Sequence, residues 1–163
     1  MRLETAQIRD RPRRFEGEEP ASILELDNDP EVRPAGPVRY RLTAQRFADE
    51  LVVRGSLEAA VGARCSRCGE PFVRAVCDPA FARAYRLRAA SELIDLTPDL
   101  REAILLAFPT LFVCSEACRG LCARCGANLN SQACACGAPP PASPWAGLDQ
   151  WKAGRPPDGR RRQ

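Results

Sequence analysis

The sequence contains no histidine, and its only lysine is Lys152. Without imidazole the chain has no histidine general base, and any tetrahedral metal site in it must be built from thiolates alone. The chain also lacks a P-loop, a dinucleotide-binding fingerprint and a G-x-S-x-G elbow. These absences argue against the common nucleotide-dependent and hydrolytic enzymes.

Long apolar runs are also missing: none approaches the ~20 residues that a membrane helix requires. Residues 1–14 are charged and lack the apolar core of a secretory signal. We therefore expect a cytoplasmic protein with no membrane partner. In a reducing compartment, clustered cysteines indicate metal or redox sites rather than disulfides.

The net charge of +3 is too small to imply a nucleic-acid partner by itself. Basic residues nevertheless crowd both ends of the chain, around an acidic segment at 16–31, and this distribution suits phosphate contact. The arginine-rich composition fits guanidinium contacts to RNA. It fits equally well the codon bias of a GC-rich genome, so both interpretations stay open.

Cysteine, by contrast, is abundant, and eight of the nine cysteines form close pairs: Cys65/Cys68, Cys114/Cys118, Cys122/Cys125 and Cys134/Cys136. A C-x-x-C turn aims two thiolates at one ion, and the glycine that follows three of these pairs lets backbone amides approach the sulfurs. Sets of four thiolates select zinc or, less often, iron. A redox dithiol at Cys65/Cys68 is the alternative, although no thioredoxin-type βαβ pattern surrounds it.

The most economical arrangement of these ligands is two sites, because the last two pairs are close in sequence and form a local ribbon-like set. The predicted sets are Cys65, Cys68, Cys114 and Cys118, and Cys122, Cys125, Cys134 and Cys136. The i,i+4 spacing of the 114/118 pair predicts that both sulfurs lie on one side of a helical turn. A rival grouping joins the two middle pairs on one ion. Closed all-thiolate sites are structural, so we expect one or two structural Zn²⁺ ions and no enzyme activity.

Alternating apolar residues predict antiparallel strands, and Gly55 interrupts the longest of them, which indicates a bulge or bend. We expect Cys77, within the third strand, to be a buried structural thiol. The predicted strands lie at 38–47, 51–65, 71–77, 81–87 and 92–96.

A single core-facing helix is predicted after these strands. Thr97, Pro98 and Asp99 are typical of a helix start, with Thr97 as the N-cap. Leu100, Ile104 and Ala107 recur at helical spacing, with Ala103 and Phe108 beside them. Glu102 on this helix is expected to be a solvated surface charge, since no second carboxylate or base stands at a fixed spacing from it.

The fold class that these patterns predict is α+β: an antiparallel sheet or partial barrel, a core-facing helix and a cysteine-rich, zinc-ribbon-like C-terminal module. After a Pro-rich linker, a short helix would carry Trp145, Leu148 and Trp151 on one side, as an anchor for a partner or for the chain itself. The predicted segments are an N-terminal arm and variable region (1–37), the sheet and helix core (38–113), the metal module (114–138), and the linker, Trp-containing helix and disordered basic tail (139–163).

Several segments in order resemble the YceD family of large ribosomal RNA subunit accumulation proteins. The similarity extends over about residues 38–152, and its segments are CSRCGEPF, DLREAILLAFP, CSEACRGLCARCGANLN followed by CAC, and SPWAGLDQWK. The resemblance implies a cytoplasmic, non-catalytic protein needed for normal levels or processing of large-subunit ribosomal RNA. Its implied partners are that RNA or large-subunit ribosomal proteins, and the eight paired cysteines match the family's cysteine positions.

Three functions are therefore compared. The first is a ribosome-biogenesis factor with structural zinc. The second is a thiol redox or iron electron-transfer protein that uses the C-x-x-C-G knuckles. The third is a zinc-ribbon DNA binder, which is disfavoured because the helix offers only Arg101 as a basic side chain.

Overall fold

The computed structural model describes residues 1–8, 11–89 and 91–137, so the predicted Trp-containing helix and the tail lie outside the described residues. Short 3₁₀ turns occupy Thr5–Gln7 and Ala21–Leu24. The strands are β1 (Arg2–Glu4), β2 (Arg13–Glu19), β3 (Val32–Phe47), β4 (Glu50–Arg64), β5 (Pro71–Arg86) and β6 (Leu93–Asp95), and the helix is α1 (Thr97–Leu106).

Four strands form one antiparallel sheet in the order β2-β3-β4-β5, and β1 pairs with β6 in a separate two-stranded sheet. The alternation in the sequence correctly identifies the face that points inward. Val38, Leu42 and Ala44 of β3 are buried, and so are Val53 and Leu57 of β4. The predicted antiparallel sheet with a core-facing helix is thus confirmed. In the part of the chain that the structure describes, no helix has the length and apolarity to cross a bilayer.

The predicted strands at 71–77 and 81–87 are one continuous strand, β5, with a bulge in its middle. Asp78 lies opposite Leu57 whereas Phe81 lies opposite Gly55, so β5 contains one more residue than β4 over this stretch. The bulge contains Pro79, which has no amide hydrogen to donate to the ladder. It shifts the inward-facing residues from even positions, such as Val76, to odd positions, such as Phe81.

The prediction that Cys77 is buried is wrong, because the thiol is exposed. Its neighbour Val76 points into the core, and successive side chains of a strand point to opposite faces, so Cys77 faces solvent. The opposite residue on β4 is Glu58, an exposed charge on that same outer face.

Gly55 lies at the predicted irregularity and has a packing reason to be glycine. A Cβ atom there would lie 2.0 Å from the carbonyl oxygen of Arg41 on β3, which is backbone and has no room to move aside. We expect Gly55→Ala to lower the free energy of unfolding by about 2–3 kcal/mol through overpacking. Gly62→Ala on the same strand is the control, because its nearest neighbour would be 3.8 Å away. Urea unfolding curves that coincide for the two variants would contradict this interpretation.

Helix α1 packs its buried residues, Leu100, Ala103 and Ile104, against the inner face of the sheet. The predicted N-cap is displaced by one residue: Leu96 holds that position and makes no side-chain cap bond. Asp95 instead accepts the amide hydrogen of Thr97 at 2.9 Å, so a carboxylate upstream satisfies this donor. Hydrogen bonds from the Thr97 side chain and backbone hold the pKa of Asp95 at about 2.

Ion pairs connect the exposed face of α1 to β5. Arg83 contacts Asp99 at 3.1 Å and Glu102 at 3.0 Å. Glu102 is exposed, as predicted, and it also forms an ion pair with Arg83. Burial, followed by the hydrogen bond that its hydroxyl donates to Asp99, raises the pKa of Tyr85.

The first 37 residues contribute to the fold, although the sequence patterns predicted no strand in them. Strand β2 extends the main sheet, and β1 pairs with β6. Leu3, Ile8 and Leu24 belong to the same buried cluster as α1.

Candidate metal centre

The first C-x-x-C pair sits in a tight turn between β4 and β5. The amide of Gly69 donates to the carbonyl of Cys65 at 2.8 Å, and the amide of Cys65 donates to the carbonyl of Glu70 at 2.9 Å. The amide of Arg67 points at the Cys65 sulfur, 3.4 Å away. Gly69 has a φ of 74°, in the left-handed region that glycine adopts without strain.

The Cys122/Cys125 turn repeats this pattern. Gly126 donates to the carbonyl of Cys122 at 2.9 Å, and Cys122 donates to that of Ala127 at 2.8 Å. The amide of Arg124 lies 3.4 Å from the Cys122 sulfur. Gly126 has a φ of 71°. The two C-x-R-C-G segments are therefore a structural repeat, and in both the backbone amides point at a sulfur.

Site 1 is the cluster of Cys65, Cys68, Cys114 and Cys118, whose sulfurs all lie within 4.8 Å of one another. The Cys65 and Cys118 sulfurs are 3.8 Å apart, and those of Cys68 and Cys114 are 3.9 Å apart. A regular zinc tetrathiolate, with Zn–S bonds of about 2.3 Å, has S···S edges of about 3.8 Å. Disulfide sulfurs would be about 2 Å apart, so these distances fit ligands of one ion.

The Cys114/Cys118 pair does not lie on a helical turn, contrary to the prediction. The amide of Cys118 donates to the carbonyl of Ser115 at 3.1 Å, which closes a β-turn. Phe112 accepts a hydrogen bond from the amide of Ser66 at 2.8 Å, so the segment after α1 is held against the first knuckle. The sulfurs converge because the chain is docked there.

Site 2 is the cluster of Cys122, Cys125, Cys134 and Cys136, again with all sulfurs within 4.8 Å. The Cys134 sulfur is 3.6 Å from that of Cys125 and 3.3 Å from that of Cys122. The structure thus groups the eight cysteines as in the preferred partition and not as in the rival one. The two sites differ in burial: three cysteines of site 1 are buried, and no cysteine of site 2 is.

The thiols of each cluster lie close enough together to shift one another's pKa. In site 1 the amide of Cys114 is the main cause that lowers the pKa of Cys65, to about 6. The amide of Glu70 pulls the pKa of Cys68 down, but burial and the neighbouring thiols outweigh it and raise that pKa to about 12. One thiolate thus forms at the expense of its neighbours. A dication would remove this conflict, because it stabilises every thiolate at once.

In site 2 the amides of Cys125 and Arg124 lower the pKa of Cys122 to about 6. The neighbouring thiols Cys134 and Cys125 raise the pKa of Cys136 to about 12. In both clusters backbone amides lower the pKa of the first knuckle cysteine, and neighbouring thiols raise the pKa of another cysteine, as expected for two sites built on the same knuckle.

Each knuckle contains an arginine whose role was not predicted from the sequence patterns. Arg67 donates to the carbonyl of Cys118 at 3.2 Å, and Arg124 donates to the carbonyl of Cys136 at 3.3 Å. Each arginine therefore ties its knuckle to the last cysteine of the same site. The signal was present in the sequence, because CSRC and CARC share an arginine at the third position.

Comparison with known proteins gives one match to a family model, described as large ribosomal RNA subunit accumulation protein YceD, over residues 85–152. The resemblance to the YceD family is confirmed. The matched YceD stretch contains α1 and six of the eight clustered cysteines, and it begins after Cys65 and Cys68.

Two curated relatives are similar to the chain. One is the large ribosomal RNA subunit accumulation protein YCED homolog 1, chloroplastic, of Arabidopsis thaliana, which is 41% identical over 44 residues, or 27% of this chain and 14% of that protein. The other is an uncharacterized protein of Mycobacterium leprae (strain TN), 25% identical over 131 residues, or 72% of this chain and 57% of that protein. The chain thus matches less than two thirds of the length of either relative. No solved structure matches the chain.

Proposed function

We propose that this chain is a non-catalytic, cytoplasmic ribosome-biogenesis factor that supports the accumulation or processing of large-subunit ribosomal RNA. Two structural zinc ions would hold its cysteine module in shape. The observation that carries this proposal is the pair of four-cysteine clusters within a chain that matches the YceD model.

Zinc as a structural ion is supported by the donor set. Each cluster offers four thiolates and leaves no position for water, so an ion there would have no site at which to activate a substrate. The alternative, an iron or thiol redox protein, uses the same knuckles. Metal analysis separates the two, because a zinc protein is colourless whereas an iron tetrathiolate absorbs visible light.

The charge of the metal module bears on where RNA could bind. Each zinc tetrathiolate carries a net charge of about −2, since four thiolates outweigh one dication. Arg67 and Arg124 lie beside these clusters and offset that charge locally. Arginines outside the module are therefore better candidates for phosphate contact.

A groove of about 410 Å³ lies at the end of the sheet that is nearest to site 1. Its lining combines two arginines with apolar side chains: Pro30, Glu31, Arg33, Gly62, Ala63, Arg64, Pro71, Phe72 and Val73. Within the described residues, Arg33 makes no ion pair, and Val73 is 67% exposed. Guanidinium groups beside apolar surface suit single-stranded RNA, which presents phosphates and unstacked bases together.

The double variant Arg33→Glu, Arg64→Glu is expected to weaken binding to large-subunit ribosomal RNA at least tenfold and to reduce its salt dependence, because two phosphate contacts are lost. Filter binding at two salt concentrations measures both. Arg88→Glu is the control, since this exposed arginine lies outside the groove.

Zinc content must stay constant in this experiment, because Arg64 also donates to the carbonyl of Gly69 in the first knuckle, at 3.3 Å. RNA binding that is unchanged in the double variant would exclude this groove. Binding to a large-subunit ribosomal protein instead of RNA would identify the other proposed partner class. If neither bound, and deletion of the gene left large-subunit RNA unchanged, the proposed function would be wrong.

A further inference from the structure

Site 2 lies in a segment that has almost no packing of its own. From Leu121 to Gly137, a range that the structure describes throughout, no residue is buried. A segment without a core depends on its metal and on whatever it is attached to. The stability of site 2 therefore depends on the contacts that attach this segment to the rest of the chain. These contacts are made with residues of site 1 and of its knuckle.

The backbone makes the first attachment. Leu121, just before the second knuckle, donates to the carbonyl of Arg67 in the first knuckle at 3.2 Å. Gly120 is buried against the same carbonyl at a φ of 73°, and a Cβ there would lie 3.1 Å from that oxygen. The two knuckles are thus in direct contact through a glycine that no other residue replaces without strain.

Asn130 makes the second attachment, through its side chain. It lies in the loop between the two ligand pairs of site 2. Its Nδ2 donates to the sulfur of Cys118, a ligand of site 1, at 3.5 Å, and its Oδ1 accepts the amide of Arg119 at 2.8 Å. Asn128 holds it in place, because its Oδ1 accepts both the Asn130 amide at 3.0 Å and the Asn130 Nδ2 at 2.8 Å. A residue in the loop of one site therefore donates to a sulfur of the other.

We infer that Asn130 couples the two metal sites, so that occupancy of site 2 strengthens metal binding at site 1. This inference rests on the proposed structural zinc. An ion in site 2 ties the Cys122/Cys125 turn to the Cys134/Cys136 turn and so fixes the loop that carries Asn130. The fixed loop presents an N–H donor to Cys118, which spreads the negative charge of the tetrathiolate. Binding linkage is reciprocal, so a filled site 1 strengthens site 2 by the same factor.

The test is a double-mutant cycle on the full chain. Asn130→Asp keeps the acceptor for the Arg119 amide, but it removes the Nδ2 donor to the Cys118 sulfur and to Asn128 Oδ1 and adds a carboxylate charge. Cys134→Ser disables site 2. Competition with a chromogenic chelator measures zinc affinity at site 1, and the thiolate-to-metal absorption of the cobalt-loaded protein reports the ligand set. We expect Asn130→Asp to weaken site 1 about tenfold when site 2 is intact, and less than about twofold in the Cys134→Ser background.

Gln132→Ala is the matched control, because it is an amide in the same loop and has no side-chain hydrogen bond among the described residues. The zinc affinity of site 1 in the Gln132→Ala variant should equal that of the wild type. Equal affinities for Asn130→Asp and the wild type would overturn the coupling, and so would equal losses in both backgrounds. In either case, a measured content of two zinc ions per chain would still support the proposed structural role of zinc. A wild-type chain that binds no metal would overturn both.

Discussion

Replacing Cys68 by serine is expected to remove zinc from site 1 and to lower the free energy of unfolding by about 3–5 kcal/mol. Cys68 is buried, and site 1 joins the β4–β5 turn to the segment after α1, which contact each other elsewhere through hydrogen bonds such as that from the Ser66 amide to Phe112. Loss of a structural metal removes its binding energy from folding and leaves buried thiols unpaired. Urea unfolding followed by far-UV circular dichroism, with zinc analysis of each variant, measures the effect.

Cys134→Ser is the matched comparison, because it removes a ligand of the exposed site with the same substitution. The sheet core has no member in site 2, so we expect this variant to lose one zinc ion and only about 1–2 kcal/mol of stability, which corresponds to the tenfold weaker metal binding at site 1. Equal losses from the two variants would mean that burial does not distinguish the sites. No loss from Cys68→Ser would mean that site 1 does not hold the fold together.

The second large effect is expected in α1. Leu100 is fully buried between the helix and the sheet, so Leu100→Ala should lower the free energy of unfolding by about 2–5 kcal/mol through lost burial and a cavity. Leu106→Ala in the same helix is the control, because Leu106 is 75% exposed, and it should change stability by less than about 0.5 kcal/mol.

The urea midpoints of the two leucine variants decide this prediction. A midpoint for Leu100→Ala that equals that of Leu106→Ala would show that α1 is not docked on the sheet. Zinc content should stay at the wild-type level in both, because Leu100 belongs to the sheet core and not to the residues packed around site 1, and Leu106 is exposed. This separates the contribution of the core from that of the metal module.

The sequence predicted the long strands and the cysteine sets for physical reasons. Strands β3 and β4 bury one face only, so a period of two is visible in their residues. The knuckles are local turns, and local geometry follows from spacing. The separation of the two sites followed from sequence distance, because Cys122 to Cys136 can close on one ion without help from the rest of the chain.

The missed features depend on contacts between residues far apart in the chain. Strand β1 is short, and it exists because it pairs with β6; the amide of Leu96, for example, donates to the carbonyl of Met1 at 2.9 Å. No pattern within three residues contains that information. The β5 bulge, which switches the inward-facing residues from even to odd positions, was likewise not visible in the sequence, because a bulge is defined by the register of two paired strands. The prediction that the Cys77 thiol is buried was wrong for the same reason, because the register of β5 decides which face of the sheet this side chain lies on.

The link between the sites was missed for a different reason. Asn128 and Asn130 look like ordinary loop residues, since asparagine is common in turns. Only the folded backbone shows that the Asn130 amide reaches Cys118. A motif of cysteines identifies ligands but not the groups that donate hydrogen bonds to them.

Metal analysis combined with thiol titration on the purified full chain tests the central claim most directly. We predict two zinc ions per chain and one rapidly reacting thiol, Cys77, the cysteine outside both clusters. Removal of zinc by a chelator should expose all nine thiols and unfold the cysteine module. A metal-free chain with nine reactive thiols, whose circular dichroism does not change with chelator, would contradict the account.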